Sequence, residues 1–555
     1  MNLIRNRAGN RTGNRTRALY HMVRADFLER VRRYSFLLTL GFSVYLGYIV
    51  YAGQVTLRLD KYSGINNSAW LGSVIGLVGS VWLTLVGFYV VKNSIQRDRQ
   101  TRVGQILATT PISKSFYTLA KALSNFAVLA AMIFVLALAA FVIQISQGTD
   151  ASIDGFALVS PVLIFGLSAV AVTAALAVLF ESLPVLRGGL GNILYFFLWT
   201  FLIAFGAGSL DSGASLNPLH TMVDYTGIAT VMGQMQSQVH GLDPAYSGGA
   251  SFSVGGLNPT TKTFLWNGLV WTPALALSRA MLFAIAAGLA LVAAIFFDRF
   301  DPARANWLPQ KKPKAIQEIE GREPALAQRI PAETIAPMPH SQLSAASLAP
   351  LSRTGAHARF LTLVLAELRL MIRGHAWWWY TVAAGLFIAC LASPLDVARS
   401  GVIVAAWIWP ALIWSQMGTR EAQYSTGSLV FSARRPVPQQ LLATYAAGVI
   451  VAALAGGGLG VHLLFARDVA GLAGWAAGAL FIPALALALG VTTGTRKFFE
   501  ALYTAWWYVG PLHHMPKADF MGTTAQSSTP GGYLAAAAVL VLIACTWRAV
   551  KLANA

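Results

Sequence analysis

Apolar residues occur along this 555-residue chain in long uninterrupted runs rather than in short alternations with polar residues. Such runs, when about 17 to 25 residues long, have the length that an α-helix needs to cross a bilayer. The sequence therefore predicts membrane-spanning helices near 35–52, 68–91, 117–145, 156–180, 190–208, 275–297, 376–394, 401–418, 441–465, 472–492, 498–512 and 532–547. The predicted fold class is an all-α integral membrane protein with about twelve transmembrane helices.

Composition and charge support this prediction and add an orientation. The chain is 56% hydrophobic and only 11% charged, whereas a soluble protein carries about a quarter charged residues. Most of the 41 Lys and Arg residues precede the first span or lie between the second and third or the sixth and seventh. Because basic loops stay on the cytoplasmic side, both termini are predicted to be cytoplasmic, in a bacterial inner membrane. Anionic lipid headgroups account for the net charge of +19 without nucleic acid.

Two segments recur in the second half of the chain. One precedes the first predicted span, and the other lies between the second and third. VRADFLERVRRYSF at 23–36 is similar to VLAELRLMIRGHAW at 364–377, which places Asp26 opposite Glu367. RDRQTRVGQILATTPIS at 97–113 is similar to REAQYSTGSLVFSARRPVP from Arg420. The second similarity aligns Arg97 with Arg420, Asp98 with Glu421, Gln100 with Gln423, Gly104 with Gly427 and Ile106 with Leu429. The chain is thus predicted to be a parallel repeat of six plus six helices.

This repeat divides the chain into four predicted parts. Residues 1–34 form a basic cytoplasmic tail and an amphipathic elbow helix in the headgroup plane, with a straight extension of the first span as the alternative. Residues 35–300 form the first six-helix domain, including a long external segment at 209–274. Residues 301–355 form a flexible cytoplasmic linker rich in Pro and Ala. Residues 356–555 form a second elbow helix and the second six-helix domain.

The external segment contains an apolar stripe at helical spacing, which predicts a further amphipathic helix. The residues of the stripe are Ile228, Val231, Met232, Met235 and Val239. A cap over the outer ends of the spans and a loop resting on the membrane are equally compatible with this pattern.

The charged segment that starts at Arg97 has two faces. RDRQTR cannot enter hydrocarbon, whereas Val103, Ile106 and Leu107 form an apolar stripe and Pro111 ends the helix. A short helix parallel to the membrane, with an apolar face directed to the cytoplasm, is predicted. Its recurrence favours a helix-in-groove contact with a partner protein over a surface helix or a re-entry turn.

At these residues the chain resembles the permease subunits of ABC-2-type transporters. In that family a charged turn, a Gly, an apolar pair and a T-P-[IV]-S-like end form the coupling helix, which docks onto the ATP-binding subunit; here Lys121 and Ser113 match as well. The second copy departs from the pattern, since it reads ARRPVP and is two residues longer. The partner-binding residues implied by the resemblance are Arg97, Asp98, Gln100, Gly104, Leu107, Thr110, Pro111, Arg420, Glu421, Gln423, Gly427 and Leu429.

The resemblance implies an exporter driven by ATP hydrolysis on two copies of a separate subunit, which would hold the ATP and Mg²⁺. The chain itself has no G-x-x-x-x-G-K-[ST] phosphate loop, so it is predicted to be neither an enzyme nor a cofactor-binding protein. A major-facilitator-like secondary carrier is the alternative, because such carriers also combine twelve helices in two parallel repeats. A membrane-embedded scaffold or enzyme is a third possibility.

The resemblance also places a substrate path between the halves, along the second, fifth, eighth and eleventh helices. Aromatic residues of these helices are candidates to line it: Phe197, Trp199, Trp407, Trp409, Trp414, Trp506 and Trp507. They fit a hydrophobic or amphiphilic substrate such as a drug, natural product, lipid or peptide; helix packing and interfacial belts are the alternative. The adjacent His513 and His514 are too few for a metal site, and none is predicted.

Overall fold

The computed structural model describes most of the chain outside the predicted linker. The described residues are 2–32, 34–52, 55–147, 153–207, 224–244, 246, 249–254, 262–300, 356–375, 377–424, 426–431, 436–515, 518–523 and 530–553. The predicted linker at 301–355 and the first part of the external segment, 208–223, lie outside them.

Helices of the first half follow the apolar runs, because a helix satisfies its own backbone hydrogen bonds where water is absent. They are α1 Asn2–Val31, α2 Tyr34–Tyr51, α3 Ser68–Val91, α4 Ser94–Gln100, α5 Val103–Thr109, α6 Lys114–Gln147, α7 Gly155–Ser182, α8 Gly189–Ala207, α9 Ile228–Leu242 and α10 Pro273–Phe296.

The second half is also helical but contains more interruptions. Its helices are α11 Ala356–Ile372, α12 Trp377–Ala392, α13 Leu395–Val397, α14 Ile403–Ile408, α15 Ala411–Trp414, α16 Arg420–Gln423, α17 Gly427–Val430, α18 Pro436–Phe465, α19 Val469–Thr493, α20 Lys497–Trp507 and α21 Pro530–Ala553. Two π-helical turns are present: Ala398–Val402 leads into the predicted eighth span, and Tyr508–Leu512 ends the predicted eleventh.

Eight helices of the described part are long and apolar enough to cross a membrane. They comprise Ser68–Gln100, Lys114–Ile145, Gly155–Ser182, Gly189–Ala207, Pro273–Phe296, Val437–Phe465, Val469–Thr493 and Pro530–Ala553. Two bent helix pairs bring the number to as many as ten. The chain therefore has the helices of a multi-pass membrane protein, whereas the count of twelve spans stays a prediction.

Each predicted elbow helix bends sharply into the helix that follows it. The axes of Thr16–Val31 and Phe36–Tyr51 differ by 74°, and those of Phe360–Ile372 and Trp377–Ala392 differ by 107°. Bends of this size separate the elbow helices from the spans, so neither elbow is a straight extension of the helix after it.

A small four-stranded sheet, which the sequence analysis did not predict, lies at the end of α3 opposite to the charged segment. Strand β1 Val55–Leu59 pairs antiparallel with β3 Ala250–Val254, and β2 Tyr62–Gly64 pairs parallel with β4 Lys262–Phe264. The strand order is β3-β1-β2-β4. The fold is therefore predominantly, but not purely, α-helical. Nearby, all five residues of the predicted apolar stripe on α9 are buried.

Each half has its own apolar core. The first is built mainly from α3, α6, α7 and α10, and the second from α18, α19 and α21. Small residues allow close helix packing: a Cβ atom on Gly72 of α3 would lie 2.3 Å from the carbonyl oxygen of Leu158 on α7. These two cores hold the charged segments and the contact between the halves in place.

Candidate functional site

The first charged segment consists of two short helices set at an angle to α3. A residue in the left-handed backbone conformation precedes each of them: φ is 85° at Asn93 before α4 and 61° at Arg102 before α5. The carboxylate of Glu181, at the end of α7, caps α4: its Oε1 accepts from the backbone N–H groups of Asn93 at 2.6 Å and Ser94 at 2.9 Å, and its Oε2 from that of Ile95 at 2.6 Å. A carboxylate at this position accepts hydrogen bonds from the free N–H groups of the first turn, and its negative charge interacts favourably with the helix dipole.

Buried ion pairs attach this segment to the elbow helix. Arg97 Nη2 lies 3.0 Å from Asp26 Oδ1 on α1. Lys121 Nζ of α6 lies 2.7 Å from Asp26 and 2.8 Å from Asp98, and Tyr117 Oη donates to Asp98 at 2.7 Å. Asp98 and Lys121 are buried. Because every charge in this cluster has a partner, the segment is held rigidly at its N-terminal half.

A second ionic contact joins the segment to the end of α10. Arg99 hydrogen-bonds Asp298, which also lies 3.4 Å from Arg187. Burial alone would raise the pKa of Asp298, but the hydrogen bond and charge of Arg99, together with the backbone hydrogen bond from Phe300 and the charge of Arg187, outweigh it and hold the pKa below its usual value. Asp298 therefore remains ionised between two arginines at neutral pH.

The second charged segment has the corresponding elbow contact. Arg420 Nη1 lies 3.3 Å from Glu367 on α11, so the two residues aligned with Arg97 and Asp26 also pair with each other. Glu421 Oε2 lies 3.6 Å from Arg548 of α21. In both halves a charge on the segment thus pairs with a charge near the end of the half, but with the signs exchanged.

The two segments nevertheless differ in length and packing. Helices α4 and α5 have 7 residues each, whereas α16 and α17 have 4 each. Gly104 is covered by the ring of Phe300, so that a Cβ there would lie 2.5 Å from the ring; at Gly427 no atom of the described residues lies within 4 Å of the same position. The sequence departure of the second copy therefore accompanies a shorter and less tightly packed segment.

Each segment exposes a large apolar side chain at an aligned position. Ile106 is 67% exposed and Leu429 is 77% exposed, while Val103 is 43% exposed. Leu107 is half-buried against the small core around Tyr117. Among the other predicted partner-binding residues, Gln100, Pro111 and Gln423 are exposed, and Thr110 and Glu421 are half-buried. The predicted partner-binding residues thus fall into two kinds: charges that anchor each segment, and one exposed apolar side chain per segment, Ile106 or Leu429, called its apolar tip below.

The aromatic candidates for a substrate path are placed differently from one another. Trp407 and Trp414 are fully buried, and their indole N–H groups donate to Ala452 O at 3.0 Å and Gly448 O at 3.1 Å inside the second core. Trp507 is also buried. Trp199, Trp409 and Trp506 are half-buried, each with its indole N–H bonded, to Thr84 Oγ1, Trp379 O and Ala518 O respectively. Phe197 is 38% exposed on α8.

The halves meet where α8 and α20 cross, and the contact contains charged residues that the sequence analysis did not assign to a site. Asn192 Nδ2 donates to Glu500, and Lys92 Nζ donates to Asn192 Oδ1 at 2.6 Å. Lys497 Nζ donates to Tyr89 O at 2.8 Å and to Lys92 O. Further along α8 and α20, the ring centroids of Phe197 and Trp507 lie 6.1 Å apart. In the sequence these charges are marked only by their places at or near the ends of apolar runs.

The adjacent histidines belong to no cluster of metal-ligating side chains among the described residues. His514 Nδ1 lies 3.2 Å from Thr523 Oγ1, and no group of three His, Cys, Asp or Glu residues in the described part of the chain is placed to hold a metal ion.

Comparison of the chain with protein-family models, curated proteins and solved structures gives no significant match.

Proposed function

We propose that the chain is the permease subunit of an ATP-driven ABC exporter of the ABC-2 type, with both charged segments acting as cytoplasmic coupling helices. The observation that carries this proposal is the pair Ile106 and Leu429. Each is more than two-thirds exposed, and each follows a charged turn that is ion-paired to its elbow helix. A rigid anchor with an exposed apolar tip has the two properties that docking into a groove of a partner requires.

The proposed arrangement of six plus six helices gains support from corresponding contacts in the two halves. Arg97–Asp26 and Arg420–Glu367 are aligned pairs at aligned places. In addition, Tyr195 Oη donates to Thr84 O at 2.6 Å, and Tyr503 Oη donates to Trp407 O at 2.8 Å. In each half, a buried Tyr of the fifth predicted helix thus donates to a backbone carbonyl of the second predicted helix. Repeated contacts of this kind are expected of a parallel repeat.

The proposed substrate path runs between the halves, beside α8. This helix carries an exposed apolar stripe whose members recur every three or four residues: Leu190, Leu194, Phe197, Phe201 and Phe205. An apolar wall of this kind fits a hydrophobic or amphiphilic molecule better than a small ion. Hydrolysis on two ATP-binding subunits would move the charged segments and rock the halves, so that the path opens outward.

A proton-coupled secondary carrier is favoured by one observation. Glu500 is buried, and its Oε1 has no hydrogen-bond partner among the described residues; buried acids are common proton carriers in membrane proteins. If the chain is such a carrier, transport requires a pH gradient, requires no ATP and is abolished by Glu500→Gln.

Copurification with a candidate ATP-binding subunit tests the proposal directly. Tagged protein is purified in mild detergent from cells that also express the genes next to its own. A two-to-one ratio of ATP-binding subunit to permease is expected. Ile106→Asp and Leu429→Asp place a charge in the proposed groove, and each should reduce the copurified subunit by at least about tenfold, the factor that corresponds to 1.4 kcal/mol of lost binding.

Leu242→Asp is the matched control, because Leu242 is 63% exposed at the end of the molecule that carries the sheet. It should leave copurification unchanged. If Ile106→Asp and Leu429→Asp retain the subunit as fully as Leu242→Asp does, the exposed tips are not docking sites and the proposal fails.

A further inference from the structure

Two residues from different halves meet at the crossing of α8 and α20. Asn192 is 5% exposed and Glu500 is 1% exposed, and the side-chain amide of Asn192 donates to Glu500 Oε2. A Cβ on Gly189, one turn before Asn192, would lie 2.3 Å from Glu500 Oε1. The close approach of the two helices here thus depends on a glycine and on a polar contact.

Asn192 and Glu500 occupy corresponding places in the two halves. Tyr195 follows Asn192 by three residues and binds the carbonyl of Thr84; Tyr503 follows Glu500 by three residues and binds the carbonyl of Trp407. The contact therefore joins equivalent positions, as residues on a pseudo-two-fold axis between two parallel repeats would. Such an axis is where two rocking halves approach and separate.

Two lysines secure this contact and connect it to the first charged segment. Lys92 Nζ donates to Asn192 Oδ1 at 2.6 Å and to Leu186 O at 3.1 Å, both on the side of α8. Lys497 Nζ, from the second half, donates to Tyr89 O and Lys92 O at the end of α3. A cation is favourable there, because the last carbonyls of a helix lack partners within it. The next residue begins the turn into α4.

We propose that Lys92, Asn192, Lys497 and Glu500 form a polar gate, which closes the path between the halves at the end of the molecule that carries the charged segments. The gate opens when displacement of the first charged segment pulls the α3 carbonyls away from Lys497. This inference rests on the proposed function, since it names the element that the docking segment moves. Polar side chains suit such a gate, because they hydrogen-bond each other and backbone carbonyls when it is closed and are hydrated when it is open, whereas an apolar contact would be exposed to water on opening.

The test measures how often the gate opens in the purified chain without any partner. Ala501→Cys is introduced on α20, where Ala501 packs against the core of the first half, in a Cys390→Ala/Cys545→Ala background that removes both native thiols. Labelling by a membrane-impermeant maleimide in detergent then reports exposure of the contact. Lys497→Met and Glu500→Met remove the polar groups at similar volume, and each should increase the labelling rate at least about tenfold, because the rate follows the open population.

Two further variants make the result specific. Glu500→Gln keeps an oxygen that can accept from Asn192, so its labelling rate should stay within about twofold of the parent. Lys551→Met alters an exposed lysine at the end of α21 and should have no effect. Parent-like labelling of both Lys497→Met and Glu500→Met would overturn the gate.

A second measurement covers the case in which the methionine variants do not fold. Asn192→Cys/Glu500→Cys in the same background should be cross-linked by a short bis-methanethiosulfonate reagent, which spans the gap left by the two shortened side chains where a direct disulfide would not; failure to cross-link would overturn the closed contact. Because neither assay uses ATP or a partner subunit, failure of the gate and failure of the proposed function are distinguishable. Loss of copurification would leave the labelling results intact, and parent-like labelling would leave the docking result intact.

Discussion

Replacement of Lys121 by methionine should destabilise the first half more than any surface charge change. Lys121 is 3% exposed and lies 2.7 Å from Asp26 and 2.8 Å from Asp98. At these distances each attraction is worth about 6 kcal/mol of Coulomb energy for an effective dielectric constant of about 20. Burial offsets much of this, and removal of one partner from a buried pair costs about 3–5 kcal/mol.

We expect a loss of about 3 kcal/mol for Lys121→Met, the lower end of that range, because other groups still bind both carboxylates. Arg97 remains 3.0 Å from Asp26, and the hydroxyl of Tyr117 remains bound to Asp98. For a domain of this size the loss corresponds to a thermal midpoint lower by roughly 6–12 °C. Tryptophan fluorescence during heating in detergent measures the shift.

Two comparisons decide whether the buried charges cause this effect. Lys114→Met makes the same change at the first residue of the same helix, where the lysine is half-exposed, and should shift stability by less than about 0.5 kcal/mol. Lys121→Met/Asp98→Asn removes one of the two carboxylates that lose Lys121 as a partner and should recover at least about 1 kcal/mol. Equal midpoints for Lys121→Met and Lys114→Met would refute the reasoning.

Two further predictions concern the packing and titration of the same region. Gly104→Ala places a Cβ 2.5 Å from the Phe300 ring and should cost about 1–3 kcal/mol, whereas Gly427→Ala, at the aligned but open position, should be neutral in the same heating assay. Asp298 has a lowered pKa, since burial would raise it but the hydrogen bonds and charges contributed by Arg99, Phe300 N–H and Arg187 together outweigh burial. Its stabilisation is therefore present above about pH 4 and is lost as the pH falls through the lowered pKa. Asp298→Asn should thus show a smaller change of midpoint between about pH 6 and pH 3 than the parent, and an equal change would contradict the assignment.

The long helices could be predicted from sequence because a membrane-length apolar run has few alternatives to a helix. The alignment of Asp26 with Glu367 and of Arg97 with Arg420 was also informative, since both aligned pairs form ion pairs. These signals are local or repeated. They need no knowledge of which distant residues come together.

The remaining features depend on contacts between residues far apart in the chain. Strand β1 pairs with β3 about 190 residues later, and strands of five residues give too weak a period to be detected in loops. Glu181 caps a helix that precedes it by more than 80 residues. Residue type likewise did not distinguish a core tryptophan such as Trp414 from one that faces lipid. Pairing partners and burial, rather than composition, decide these roles.

The structure also indicates why the two charged segments are not interchangeable. The turn before each segment is held by a cation that binds a backbone carbonyl: Lys497 binds Lys92 O before the first, and Arg548 binds Gly418 O before the second. Lys497 belongs to the opposite half, whereas Arg548 belongs to the same half as its segment. Movement of the first segment therefore has to break or carry a direct contact between the halves, whereas the carbonyl before the second is bound from within its own half. Within the proposed exporter, the longer and more firmly anchored first segment is the one that can control the contact between the halves.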